Sequence, residues 1–258
     1  TINEGLLMRL GALLGPVSNS SAANMLAEQA RTYVGEGFDS LWSAQAIGRG
    51  FMTTDPIVTL SVAATVTESV ELGTAVLQVP LYHPVDLAHR IFSLMQICGD
   101  RLLFGIGAGS TESDFAAFDR AYEARFRKLS SSVERLKTIF ANGGSDGVEL
   151  SPWSSVKGGP PLFLGSWGNG VERAAKHFDG WIASGHYRTP AEVISALQRY
   201  RGAGGERAIV STLLLDSDTD LGELKDRFGR FADAGFDDAV VMFLPGGPSP
   251  AAARALVS

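Results

Sequence analysis

The feature that most constrains this chain is an alternation kept from end to end. Short runs rich in apolar and β-branched residues are each followed by a longer stretch of helical period. Eight such runs are legible, at 8–14, 40–44, 70–79, 101–106, 161–165, 180–184, 209–215 and 239–244. Between them Leu87, Ile91, Leu94 and Cys98 recur at the three- and four-residue spacing of an amphipathic helix, as do Phe126, Leu129, Val133, Leu136 and Phe140. Val193, Leu197 and Tyr200 repeat the pattern, and so do Leu221, Leu224, Phe228 and Phe231. Eight strands joined by helical crossovers fit an α/β fold of the (β/α)8 TIM-barrel type, where a doubly wound open sheet usually has fewer strands. The expectation is one barrel domain over residues 1–258.

A weak internal echo supports a repeated unit. Gly37-Phe38-Asp39 and Gly235-Phe236-Asp237 each precede a strand, and His177-Phe178-Asp179 is a looser copy. Each marks a helix-to-strand turn, with the Phe expected to plug the barrel floor and the Asp to bond the turn backbone. The long Gly- and Ser-rich interval 142–159, with Pro152 and Trp153, reads as an excursion or small hairpin between strands four and five.

Composition narrows the partners. With 22 basic against 28 acidic side chains the net charge is −6, and no block of Lys or Arg exists to meet nucleic acid or an anionic membrane. A small organic molecule is the expected partner, and a homodimer is compatible with the composition. Cys98 is the only cysteine, which excludes an intrachain disulfide and a Cys-based metal site and fits a reducing, cytoplasmic setting. No apolar run approaches the length of a spanning helix. Residues 1–7 are set aside, because Thr1 is not an initiator and Met8 is a plausible start.

In a barrel of this type the reactive groups follow the strands. Those positions carry Asn19, Gln45, Gln78, Tyr82, Ser110, the turn Gly165-Ser166-Trp167-Gly168-Asn169-Gly170, His186 with Tyr187, and Gly246-Gly247. The four histidines, 83, 89, 177 and 186, show no metal-binding spacing, and no carboxylate pair follows the strands, so no metal is expected. Gly107-Ala108-Gly109-Ser110 lacks the pattern of a nucleophile elbow. The turn at 166–170, just before a helix over 171–177, and Gly246-Gly247 both offer backbone N–H groups that could cradle a phosphate. An ordinary tight turn fits either one equally, and generic barrel experience would choose strands seven and eight.

Four segments in order resemble one family. Gly73-Thr74-Ala75-Val76-Leu77-Gln78-Val79-Pro80-Leu81-Tyr82-His83-Pro84-Val85 is the first, and Gly99-Asp100-Arg101-Leu102-Leu103-Phe104-Gly105-Ile106-Gly107-Ala108-Gly109 with Asp114-Phe115 the second. With Glu36-Gly37-Phe38-Asp39-Ser40-Leu41-Trp42, and with Gly165-Ser166-Trp167-Gly168 and Asp179-Gly180-Trp181-Ile182-Ala183-Ser184, they are similar to the bacterial luciferase-like flavin-dependent oxidoreductases. The resemblance implies a barrel that binds FMN or the deazaflavin coenzyme F420, with hydride transfer or oxygen activation above the ring. It also implies a bulge ending strand three with a non-prolyl cis bond at Ala75-Val76. The small residues Gly73, Thr74 and Ala75 let the ring approach there, with Gly107 nearby. The phosphate then falls to Ser166, Trp167, Gly168, Asn169 and Gly170.

The departures from the family shape the chemistry expected. Where many of its monooxygenases carry Glu-His-His after strand two, this chain has Ser43-Ala44-Gln45-Ala46-Ile47, which resembles members assigned to the deazaflavin. Only 216–219 separate strand seven from the next helix, so a long mobile lid is missing and light emission is not expected. The candidate proton-handling residues are His186 and Tyr82, with Gln45 beside them. His83 reads as a turn residue, and His89 and His177 as helix surface. Arg49 and Arg188 are candidate cations for the anionic F420 tail. A flavin-binding protein without catalysis is the competing expectation.

Overall fold

The computed structural model describes residues 8–15 and 24–257. Asn19 lies outside them. The strands are β1 (Arg9–Leu13), β2 (Ser40–Ser43), β3 (Glu71–Thr74, resumed at Leu77–Gln78), β4 (Leu102–Gly107), β5 (Leu162–Gly165), β6 (Gly180–Ser184), β7 (Arg207–Leu215) and β8 (Asp238–Phe243). Every neighbouring pair is parallel, β3 pairs with β4, and β1 pairs with both β2 and β8, so the sheet closes on itself as an eight-stranded barrel. The helices are α1 (Met25–Gly35), α2 (Pro56–Val66), α3 (Pro84–Cys98), α4 (Glu112–Ala116), α5 (Arg125–Asn142), α6 (Gly170–His177), α7 (Pro190–Gly202), α8 (Leu221–Ala234) and α9 (Pro250–Arg254).

Local chemistry sets where these helices start. Asp55 accepts from the N–H groups of Ile57 and Val58 ahead of α2, and His83 caps α3 by accepting from Val85 N, as befits a turn residue. Thr189 and Glu192 form a reciprocal capping box on α7. The apolar positions read from the helical spacing are buried, except Phe126 and Leu221. Both stand in the first turn of their helices, where the barrel ends and no neighbouring element covers them. The 142–159 interval carries the expected small hairpin, Gly144–Ser145 against Val148–Glu149.

Two apolar layers result. One fills the space between strands and helices, and a smaller one inside the barrel is built from Leu13, Trp42, Leu103, Phe163, Ile182, Ile209 and Val240. Gly73 makes room for the indole of Trp42, since a Cβ there would stand 2.2 Å from the ring. The echoed aspartates reach farther than the turn backbone. Asp39, Asp179 and Asp237 accept from the N–H of Leu10, Leu162 and Ala208, each at the start of the adjacent strand, at 2.9, 2.6 and 2.7 Å. Phe38 and Phe236 do not plug the floor as expected, because they pack in the outer layer with the helices. Charged groups occupy the floor instead: Arg207 bonds both Glu71 and Asp238, and Arg9 bonds Glu71.

Candidate active site

At the carboxyl end of β3 the ladder breaks at Ala75-Val76, and the peptide bond between them is cis. The side chain of Val76 lies across two neighbouring strands. A Cβ at Gly107 would stand 2.7 Å from Val76 Cγ2, and one at Gly165 would stand 2.6 Å from Cγ1, so glycine at these positions is a packing requirement. Thr74 is fully buried, and its hydroxyl donates to Gly105 O at 2.6 Å. It therefore holds the bulge from below. What faces the barrel mouth is a small, apolar platform formed by Ala75 and Val76, with Ala44 and Met242 packed against the same interior layer.

Beside this platform the loops after β2, β3 and β4 share one hydrogen-bonded cluster. Gln45 Nε2 donates to the Tyr82 hydroxyl at 2.6 Å, and Gln45 Oε1 accepts from Gln78 N at 2.8 Å. Gln78 Nε2 donates to Asp114 Oδ2 at 2.7 Å. Asp114, which has no exposed surface, also accepts from Ile47 N and from two nitrogens of Arg49. Burial pushes the Asp114 carboxyl up, but the bonds from Arg49 and Gln78 outweigh it and hold the group below the usual carboxylate range. Burial pushes the Tyr82 hydroxyl up to about 12. Sequence reasoning missed Asp114 as a functional centre because its partners lie in other loops. Arg49, expected as a free cation for a cofactor tail, is instead committed to this buried carboxylate.

The turn between β5 and α6 holds its shape through its own residues. Asn169 caps α6 without a side-chain bond, Gly168 takes φ +59, and Ser166 Oγ donates back to Gly170 O at 2.8 Å. The N–H groups of Gly170 and Val171 close tight turns on Trp167 O and Gly168 O. Those of Trp167, Gly168 and Asn169 bond no described residue. Helices α5 and α6 are linked by two side-chain bonds, Arg173 to Ser130 Oγ and Lys137 to His177 O. A cation that sequence reasoning overlooked stands in the first turn of α5. There the guanidinium of Arg125 lies 3.7 Å over the Tyr122 ring. Its Nη1 donates to Tyr122 O at 3.1 Å, its Nε is buried without a partner, and it pairs with no carboxylate among the described residues. Arg188 lies 4.7 Å over the Trp167 ring.

The remaining candidates are placed differently. His186 is exposed after β6, its ring packed edge-on against Tyr187 at 4.4 Å. Gly247 is pressed against the backbone of Leu215, where a Cβ would stand 2.3 Å from its carbonyl oxygen, so Gly246-Gly247 serves the packing of the β7 loop. The cleft of 440 Å³ near that loop is lined by five carboxylates, Asp216, Asp218, Asp220, Glu223 and Asp226, against two cations, Arg227 and Arg230, a net negative setting. Ser110 offers its carbonyl to the Tyr122 hydroxyl. No cluster of metal-ligating side chains occurs among the described residues.

A sequence-family model of the luciferase-like monooxygenases matches residues 8–211. The chain belongs to the luciferase-like monooxygenase family. Among curated relatives, 4-hydroxyprotoasukamycin monooxygenase of Streptomyces nodosus subsp. asukaensis is 35% identical over 107 residues, 40% of this chain and 29% of its own length. A 5,10-methylenetetrahydromethanopterin reductase of Methanolobus tindarius is 27% identical over 186 residues, 69% of this chain and 53% of its own length. These matches therefore span about half or less of the relatives. Among solved structures, a monooxygenase from Streptomyces bottropensis superposes with TM-score 0.74 at 20% identity over 96% of both chains. The coenzyme F420-dependent tetrahydromethanopterin reductase of Methanopyrus kandleri gives 0.67 at 14% identity, covering 98% and 97%. The oxygenating constituent of 3,6-diketocamphane monooxygenase of Pseudomonas putida, solved with FMN, gives 0.66 at 18% identity, covering 89% and 80%. At these identities the structural likeness establishes the luciferase-like barrel fold.

Proposed function

We propose that this luciferase-like protein is an oxidoreductase that binds FMN or coenzyme F420 and acts on a small, mostly apolar organic substrate. The observation that carries the reading is the pairing, at the carboxyl ends of β3 and β5, of a small apolar platform at Ala75-Val76 with a turn whose Trp167, Gly168 and Asn169 N–H groups bond no described residue. A flat ring ending in a phosphate matches both in chemistry. Trp167, Gly168 and Asn169 would hold the phosphate through backbone N–H groups, Arg125 would supply its countercharge, and Ser166 and Gly170 would keep the turn in shape. Gly107 and Gly165 would keep Val76 in place against the ring, and Thr74 would brace the bulge beneath it.

When bound, the cofactor supplies hydride transfer or, as reduced flavin, oxygen activation. The chain's own contribution is placement and proton control. Ala44, Val76 and Met242 exclude water from the ring side of the mouth. Tyr82, held protonated by burial, and Gln45 are the groups proposed to act beside the platform, and His186 is the second proton-bearing group, exposed above β6. The sparse set of titratable groups there fits chemistry carried by a cofactor better than acid–base catalysis by side chains. Titration with FMN, reduced FMN and F420 tests the reading: saturable binding of at least one is expected, and no binding of any at millimolar concentration would overturn it. Stable binding without turnover of alcohols, aldehydes or enones would instead identify a flavin carrier.

A further inference from the structure

The cluster beside the platform contains a proton whose direction its neighbours decide. Gln45 Oε1 faces a main-chain N–H, that of Gln78, at 2.8 Å. That N–H can only donate, so the amide cannot be reversed without setting donor against donor. Gln45 Nε2 therefore faces the Tyr82 oxygen, at 2.6 Å, and can only donate to it. The Tyr82 proton must point away from Gln45, and no acceptor for it occurs among the described residues. The arrangement is held from behind, because the Gln78 side chain is anchored on the buried Asp114 carboxylate, itself paired with Arg49. Gln45, Gln78 and Asp114 are 7%, 3% and 0% exposed, so water cannot easily substitute for any of these bonds.

Resting on the cofactor reading above, we propose that Gln45 is a positioning residue that aims the Tyr82 O–H at an acceptor atom on the edge of the bound ring. The cluster is tied to the platform's own strand. Gln78, whose N–H orients Gln45, is two residues beyond Val76 on the same strand. Tyr82 keeps its proton at neutral pH because burial pushes its pKa up to about 12.

Two near-isosteric variants test the aim. Tyr82→Phe deletes the donor and should weaken binding of FMN or F420, whichever the wild type takes, about 5- to 10-fold, the worth of one neutral hydrogen bond. Gln45→Glu keeps the shape, but its ionised carboxylate has no proton to give. One oxygen would accept from Gln78 N and the other would draw the Tyr82 proton onto itself. Its affinity should fall as far as that of Tyr82→Phe, and the double variant should fall no further. On acidification the introduced carboxylate protonates and donates to Tyr82 as the amide does, so the affinity of Gln45→Glu relative to wild type should recover. The other charged groups facing the pair, Asp55 capping α2, Asp86 and Arg90 on α3, and Asp114 with Arg49 behind Gln78, are common to both proteins.

A readout free of cofactor is the C–O stretch of isotope-labelled Tyr82, assigned by its loss in Tyr82→Phe. It should report a hydroxyl that accepts from the protein in the wild type and one that donates to the protein in Gln45→Glu. Additive losses, or wild-type affinity in Gln45→Glu, would overturn the proposal. A wild type that binds neither FMN nor F420 would overturn the cofactor reading and with it the ring as acceptor, while the vibrational band would still decide whether Gln45 sets the proton's direction.

Discussion

Replacing Asp114 by Ala should be among the more damaging single changes at the barrel mouth. The carboxylate has no exposed surface, and it receives Arg49, Gln78 Nε2 and Ile47 N. Removing one partner of a buried ion pair costs about 3–5 kcal/mol, because the other charge is left uncompensated. The Arg49 side chain is 23% exposed and can partly regain water, which points to the lower end of that range. The orphaned Gln78 amide adds about 1–3 kcal/mol, but the two losses overlap in one network, so the total should be about 3–5 kcal/mol. For a chain of this size that is a fall in Tm of roughly 6–10 °C. Asp114 sits below its ordinary pKa in the folded state, so its contribution is complete above the unfolded value of about 3.9 and is lost as pH falls through the folded value. Urea unfolding of wild type and Asp114→Ala should show a constant gap from about pH 5 to 8 that narrows below about pH 4. Equal stability at pH 7, or a gap that does not respond to acid, would refute the reasoning.

Two further outcomes follow from the platform and the cradle. Arg125→Ala should weaken FMN about 10-fold and leave riboflavin unchanged, measured by fluorescence titration, since only FMN carries the phosphate. Gly107→Ala should displace Val76, whose Cγ2 would lie 2.7 Å from the new methyl. Its cost in stability should be about 1–3 kcal/mol, with cofactor affinity lowered as well, both read from denaturation and titration of the same variant.

The barrel was legible because its signal is repeated. Eight short apolar runs and the spacing of Leu87, Ile91, Leu94 and Cys98 report burial directly, and burial is local information. The break in β3 and the cis bond at Ala75-Val76 came from the resemblance of residues 73–85 to a known family, since nothing in propensity marks a non-prolyl cis bond. What escaped was long-range. Arg49 reads as a surface cation until Asp114, 65 positions away, is seen to hold it. Arg125 reads as one more helix charge until its Nε is seen to be buried without a partner. Asp39, Asp179 and Asp237 were correctly placed in turns, but their acceptor oxygens reach the adjacent strand, a partner that only barrel closure supplies. The bulge in β7, with Thr212 at φ +62, has no sequence mark, because Ile209, Val210 and Thr212 are β-branched residues that read as continuous strand across Ser211.

The central claim is that one ligand spans the Ala75-Val76 platform and the 166–170 turn. The most direct measurement is a crystal structure of the chain with FMN or F420 bound. The ring should lie against Ala75 and Val76 and the phosphate on the N–H groups of Trp167, Gly168 and Asn169, with Arg125 beside it. A phosphate seated instead against Gly246-Gly247, or a ring away from the β3 bulge, would contradict it.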